Sequence, residues 1–200
     1  ALGVGDPDDI VRPDGANPGD AIVLATGPGA ETAGLFATLF PEVLDLPAET
    51  VATAQERVAD IFGVTDATTA AAAGDLSAIH DATEGGVIGG MAEMASGAGV
   101  RFVVERDRAP IQPGVEAVCD AIDVAPWTVT SAGSLLVTAQ PAAAESVVSA
   151  LESRGTPAAI VGSVQETGEQ DSGLIFDGER VDPPASDPAW DAMARLQQSG

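Results

Sequence analysis

"HDATEGGVIGGMAEMASGAGV", residues 80–100, decides how this chain is read. Val87, Met91 and Met94 recur at i, i+4 and i+7, the spacing of one apolar helical stripe, so a helix is expected from about residue 84 to 96. Immediately before it stand the only histidine, His80, the carboxylates Asp81 and Glu84, and the pair Gly85–Gly86. Upstream, LSAIHD (76–81) reads as a strand; downstream, VRFVVER (100–106) alternates as a half-buried strand does.

The same reading extends outward. AIVLATG (21–27) has the character of a buried strand, and residues 31–40 and 48–62 have helical spacing, the second with Pro47 ahead of it and Glu49 in its first turn. TTAAAAG (68–74) is a short helix stopped by glycine. Further along come PGVEAVCDAI (113–122) as a helix, GSLLVTA (133–139) as a strand and 141–155 as a helix. PAAIVGSV (157–164) is a strand, GLIFDGERV (173–181) a hairpin turning at Asp177–Gly178, and DPAWDAMARLQQ a final helix. Strands and helices in this alternation imply a sheet covered by helices. The turn-rich opening, residues 1–19, reads as a connector from something longer, ahead of one domain over 20–200.

Composition narrows the classes. The chain has 200 residues, 45% of them hydrophobic but only 4% aromatic, so its core is aliphatic. There are 31 acids against 8 basic residues, all arginine, for a net charge of −23. Such a chain repels polyanions, which argues against nucleic acid and anionic membranes as partners. No apolar run reaches the ~18 residues of a membrane span. Acids dispersed along the chain, without lysine, fit a cytoplasmic protein of a halophile, whose molar salt screens self-repulsion to ~3 Å. The single Cys119 excludes an internal disulfide and falls on the apolar side of its helix, the place of an inert thiol.

HDATEGG has two readings. In one, Thr83 is the N-cap and Glu84 lies in the first turn, where the helix dipole favours negative charge. That leaves two glycines that cost roughly 1 kcal/mol each against alanine in a helix. In the other, those glycines clear an approach to the free N–H groups of the helix start, by a phosphate or by another backbone segment. Glu84 opposes a bare anion there; Mg²⁺ held by Asp81 or Glu84 would reconcile the two. His80 is either a proton donor or a hydrogen-bonded structural histidine. TGPGAETAG (26–34) is a tight strand-to-helix turn or a phosphate-facing loop, but not a GxGxxG fingerprint. No nucleophile-elbow spacing supports a hydrolase.

Taken in order, GDAIVLATGPGAETAG, HDATEGGVIGGMAEMASGAGV, VCDAIDVAPW, SAGSLLVTA and RGTPAAIVGSV resemble the C-terminal domain of the AIR synthase superfamily, closest to its HypE-like, AIR synthase-related branch. The resemblance implies an α+β fold: a three-layer α/β/α domain with a mixed sheet, partly ferredoxin-like. It implies ATP and Mg²⁺ as cofactors of the full-length protein, a small-molecule substrate, an N-terminal domain as partner, and a homodimer. On that reading Asp81, Thr83, Gly85 and Gly86 face phosphate or substrate, with Gly27, Gly29 and Glu31 as the opposing wall of a cleft and Asp81 and Glu84 as metal contacts. This segment alone would be inactive. Two departures favour a non-catalytic binding or assembly module instead: Glu84 stands where HypE-like proteins commonly carry arginine, and the chain ends ARLQQSG without their cysteine tail.

Overall fold

The computed structural model describes residues 6, 10–168 and 171–198. Seven strands form one sheet: β1 (Ala21–Ala25), β2 (Leu76–Asp81), β3 (Arg101–Val104), β4 (Leu135–Ala139), β5 (Ala158–Gln165), β6 (Gly173–Phe176) and β7 (Glu179–Val181). Their spatial order is β2-β4-β1-β5-β3-β6-β7. All neighbours are antiparallel except β3 and β6, which makes the sheet mixed. The helices are α1 (Ala30–Leu39), α2 (Ala48–Gln55), α3 (Val64–Ala73), α4 (Gly86–Ala98), α5 (Val115–Ala121), α6 (Pro141–Ser153) and α7 (Pro188–Gln197). The α+β class expected from the sequence is the one observed.

Strand periodicity produces the layers, because alternate side chains point to opposite faces. Ile22, Leu24 and Leu136 face α4 through Val87, Met91 and Met94. Ala21, Val23 and Val137 face α6 through Val147 and Leu151, with Ala70 of α3 beside them. A third cluster lies away from the sheet, where Phe36 of α1, Val51 of α2 and Val118 of α5 pack together. Cys119 is wholly buried there, and burial pushes its thiol up to about 12. Alkylation at pH 8 is therefore expected only as fast as the protein unfolds, which a thiol-reagent time course across a urea series checks.

One local detail differs from the sequence reading. The helix expected over 48–62 stays α-helical only to Gln55 and then tightens to a 3₁₀ segment, Glu56–Ile61, leaving Val58 and Phe62 exposed. Asp177 and Gly178 do turn the β6–β7 hairpin, both at positive φ (52° and 84°), as a two-residue Asp-Gly loop requires. Of the connector expected over 1–19, residues 1–5 and 7–9 lie outside the described residues. Farther on it runs along the free edge of β2, where Arg12 O accepts from the Ile79 N–H at 3.4 Å.

Candidate functional site

β2 carries His80 and Asp81 to the edge of the sheet, paired with Leu136 and Leu135 of β4. The chain then turns through Ala82–Gly86 into α4. Thr83 is not the N-cap: Gly85 is, at φ 80°, with no side-chain cap, and Gly86 follows at φ 65°. Two consecutive residues in the left-handed region stop the helix from starting any earlier, so Glu84 precedes α4 rather than sitting in its first turn. Both glycines are there for conformation, and Gly86 for space as well. A Cβ on Gly86 would lie 2.6 Å from the carbonyl oxygens of Trp127 and Val129.

The amides beneath the pair are engaged within the protein. The Gly85 N–H donates to Asp187 Oδ2 at 3.0 Å, and the Gly86 N–H donates to Thr83 O at 3.0 Å. Asp187 is itself the N-cap of α7, its Oδ1 accepting from the Ala189 N–H at 2.9 Å. Phosphate donation by Gly85 and Gly86, one of the two sequence readings, therefore has no free donor in this arrangement. The approaching group is another backbone segment, residues 127–129. Thr83 and Glu84 are exposed beside it.

The loop carrying Gly27, Gly29 and Glu31 packs inward on its own domain. It is stitched to residues 130–134. Ser131 Oγ accepts from the Gly29 N–H at 2.7 Å, and Ser134 Oγ donates to Gly27 O at 2.6 Å. Glu31 Oε2 accepts from Thr130 Oγ1 and from the Ala132 N–H, both at 2.8 Å. Gly27 is left-handed, and a Cβ there would overlap Pro110 O at 1.8 Å. The loop acts at one remove: it fixes the 130–134 segment, whose other side is part of a cavity.

That cavity, about 410 Å³, opens beside His80 and Asp81. Ala132–Leu135 form one side and Ile61–Val64 another, so its walls are mostly apolar. Phe62 and Val64 are 74% and 78% exposed at its rim. The sequence held one signal for this wall, the serine- and glycine-rich SAGS before a strand, which reads equally well as close backbone packing. Of the site residues inferred from sequence, Asp81 lines the cavity; the glycines, Thr83, Glu84 and Glu31 do not.

His80 is the polar centre of this corner. Its Nε2 lies 3.0 Å from Glu93 Oε2 on α4, and its Nδ1 lies 3.5 Å from Asp81 Oδ1. The tautomer that donates from Nε2 to Glu93 leaves Nδ1 as a basic nitrogen beside the cavity. Asp81 is two-thirds exposed, and among the described residues no group of three or more histidines, cysteines or carboxylates could hold a metal.

Residues 17–175 match the model of the family described as AIR synthase related protein, C-terminal domain. The chain belongs to that family. No curated protein matches it. Among solved structures, E. coli HypE superposes with a TM-score of 0.71 at 24% identity, over 89% of this chain and 54% of that one. A hydrogenase maturation protein HypE solved in complex with ATP gives 0.65 at 20% identity, over 91% and 56%. AaThiL complexed with AMPPCP and TMP gives 0.63 at 19% identity, over 86% and 52%. At these identities the likeness establishes the fold. This AIR synthase-related chain spans about half the length of each of those structures. Among its described residues no helix is long and apolar enough to cross a membrane.

Proposed function

We propose that this AIR synthase-related domain is the substrate-side half of an ATP-dependent, HypE-like enzyme, with residues 1–19 as its connector to an N-terminal domain. The carrying observation is the cavity at His80 and Asp81, walled by Ala132–Leu135 and rimmed by exposed Phe62 and Val64. Concave, mostly apolar sites with a few convergent polar groups are where small molecules bind. An apolar rim beside such groups suits closure by a second domain, which would exclude water from the chemistry. The ATP and AMPPCP of the HypE and ThiL structures support nucleotide use by the complete protein. Since the Gly85 and Gly86 amides are already bonded, the nucleotide phosphates and their Mg²⁺ are held elsewhere in the complete, dimeric protein. This half orients the small-molecule acceptor, and His80, steadied by Glu93, takes or gives its proton.

Nucleotide turnover by the full-length protein tests this. D81A, which removes a carboxylate from the cavity wall, is expected to raise KM for the acceptor, and H80Q to lower kcat by about 10²–10⁴-fold, the range of a lost general acid–base group, with the unfolding midpoint of either variant little changed. A full-length protein indifferent to every nucleotide sinks the proposal.

The second reading, a binding or assembly module that keeps the fold, is favoured by the sealed Gly85–Gly86 corner. On that reading partner capture is independent of nucleotide, and D81A leaves it intact.

A further inference from the structure

A second cavity, about 360 Å³, is also lined by the 57–66 segment, and Phe62 is the one residue lining both. Its walls are polar, and its charges alternate. Arg57 pairs with Asp60 (Nη1 to Oδ2, 3.0 Å) and Arg154 with Asp66 (Nε to Oδ1, 3.4 Å). Two of the chain's eight arginines thus line one small space in a protein with no lysine. Arg154 also donates to Thr69 Oγ1 at 3.0 Å and Asp66 Oδ1 accepts from Thr156 Oγ1 at 2.9 Å, whereas the hydrogen bonding of the Arg57–Asp60 pair is incomplete. Arg57 Nη1 donates to Gln112 Oε1 at 2.7 Å, but its buried Nε has no acceptor, and buried Asp60 Oδ2 has no well-directed donor. Burial also raises the Asp60 carboxyl above its ordinary range, against the pull of Arg57.

Backbone strain marks the same wall. Thr26 lines this cavity with φ 67°, and it is nearly fully buried. A β-branched residue in the left-handed region is a genuine outlier, and such outliers collect where a site needs them. Pro157 O, in the opposite loop, accepts from the Thr26 N–H at 2.8 Å and so holds the conformation.

We propose that this cavity is a binding site for a small zwitterion of the free α-amino-acid class, its carboxylate meeting the guanidinium groups of Arg57 and Arg154 and its ammonium meeting Asp60 and Asp66. The four side chains sum to zero formal charge, so a bare anion or cation would leave one charge unmatched inside, whereas a dipolar ligand matches both signs. An anion also meets the repulsion of a chain at −23, which a neutral zwitterion escapes. The volume falls in the range of small-molecule sites. This site is independent of the chemistry assigned to His80.

Titration of the 200-residue protein at constant ionic strength, followed by NMR of the arginine Nε–Hε groups, tests it. L-Alanine is expected to shift the Arg57 and Arg154 signals saturably. Acetate and methylammonium, each carrying half of the ligand's charge, should not saturate at tenfold higher concentration. R154Q should weaken L-alanine binding at least tenfold and R154K less. Q112L, which releases Arg57, should weaken it several-fold and serves as the second variant if R154Q fails to fold. Absence of saturation by L-alanine, equal binding of acetate, or unchanged affinity in the folded variants overturns the assignment.

Discussion

G86A is expected to destabilise the protein by about 2–5 kcal/mol, whereas G85A, one residue earlier, costs only about 1–2 kcal/mol. Both glycines have positive φ, at 80° and 65°, so both substitutions carry the left-handed penalty of about 1–2 kcal/mol. Space separates them. A Cβ on Gly85 meets nothing closer than 3.7 Å, while one on Gly86 meets Trp127 O and Val129 O at 2.6 Å and Val129 N at 2.9 Å. Those atoms are backbone, and their segment cannot retreat easily. The Trp127 ring packs edge-on against Phe176 at 4.7 Å, and Val129 is fully buried in the helical cluster. Overpacking of that kind adds about 1–3 kcal/mol. Urea unfolding of the two variants side by side checks the difference. Equal losses would mean that α4 and the 127–129 segment are not in contact in solution.

The contrast shows which parts of this molecule its sequence discloses. Elements set by side-chain period were legible, because burial enforces period: Val87, Met91 and Met94 mark α4, and VRFVVER marks β3. The Asp177–Gly178 hairpin was legible for a local reason, since few residue pairs tolerate two positive φ angles in succession. The start of α4 was not. Thr83 followed by Glu84 fits an N-cap and a first-turn acid, and only the approach of Trp127–Val129, more than forty positions away, explains why two glycines push the helix start to Gly86. Glu31 misleads in the same way. It sits in the first turn of α1, where a dipole argument suffices, yet its carboxylate is bound by Thr130 and Ala132 about a hundred residues on. The cavity beside His80 escaped because its walls come from three separated stretches, of which only Ile79–Asp81 carries chemistry of its own. Glycine positions therefore announce a close approach without saying what approaches.

Asp187 identifies what approaches at Gly85, and D187A is expected to cost about 2–4 kcal/mol. The side chain is buried and accepts two N–H bonds, from Gly85 at 3.0 Å and Ala189 at 2.9 Å. Removing it deletes the α7 N-cap, worth about 1 kcal/mol, and strands a part-buried donor at the α4 start, at about 1–3 kcal/mol. D187N keeps an acceptor oxygen and should recover roughly half of the loss, read as the urea midpoint. The same variant bears on function. With Asp187 gone, the Gly85 N–H faces the space that a carboxylate filled, at the positive end of a thirteen-residue helix. If this amide serves only to tie α7 to α4, D187A loses stability while inorganic phosphate binds no better than before. If Asp187 masks an anion site that opens in the complete enzyme, D187A binds phosphate at least tenfold more tightly than the parent. The bonding at this corner favours the first outcome, since one carboxylate already satisfies two helix starts and bridges elements about a hundred residues apart.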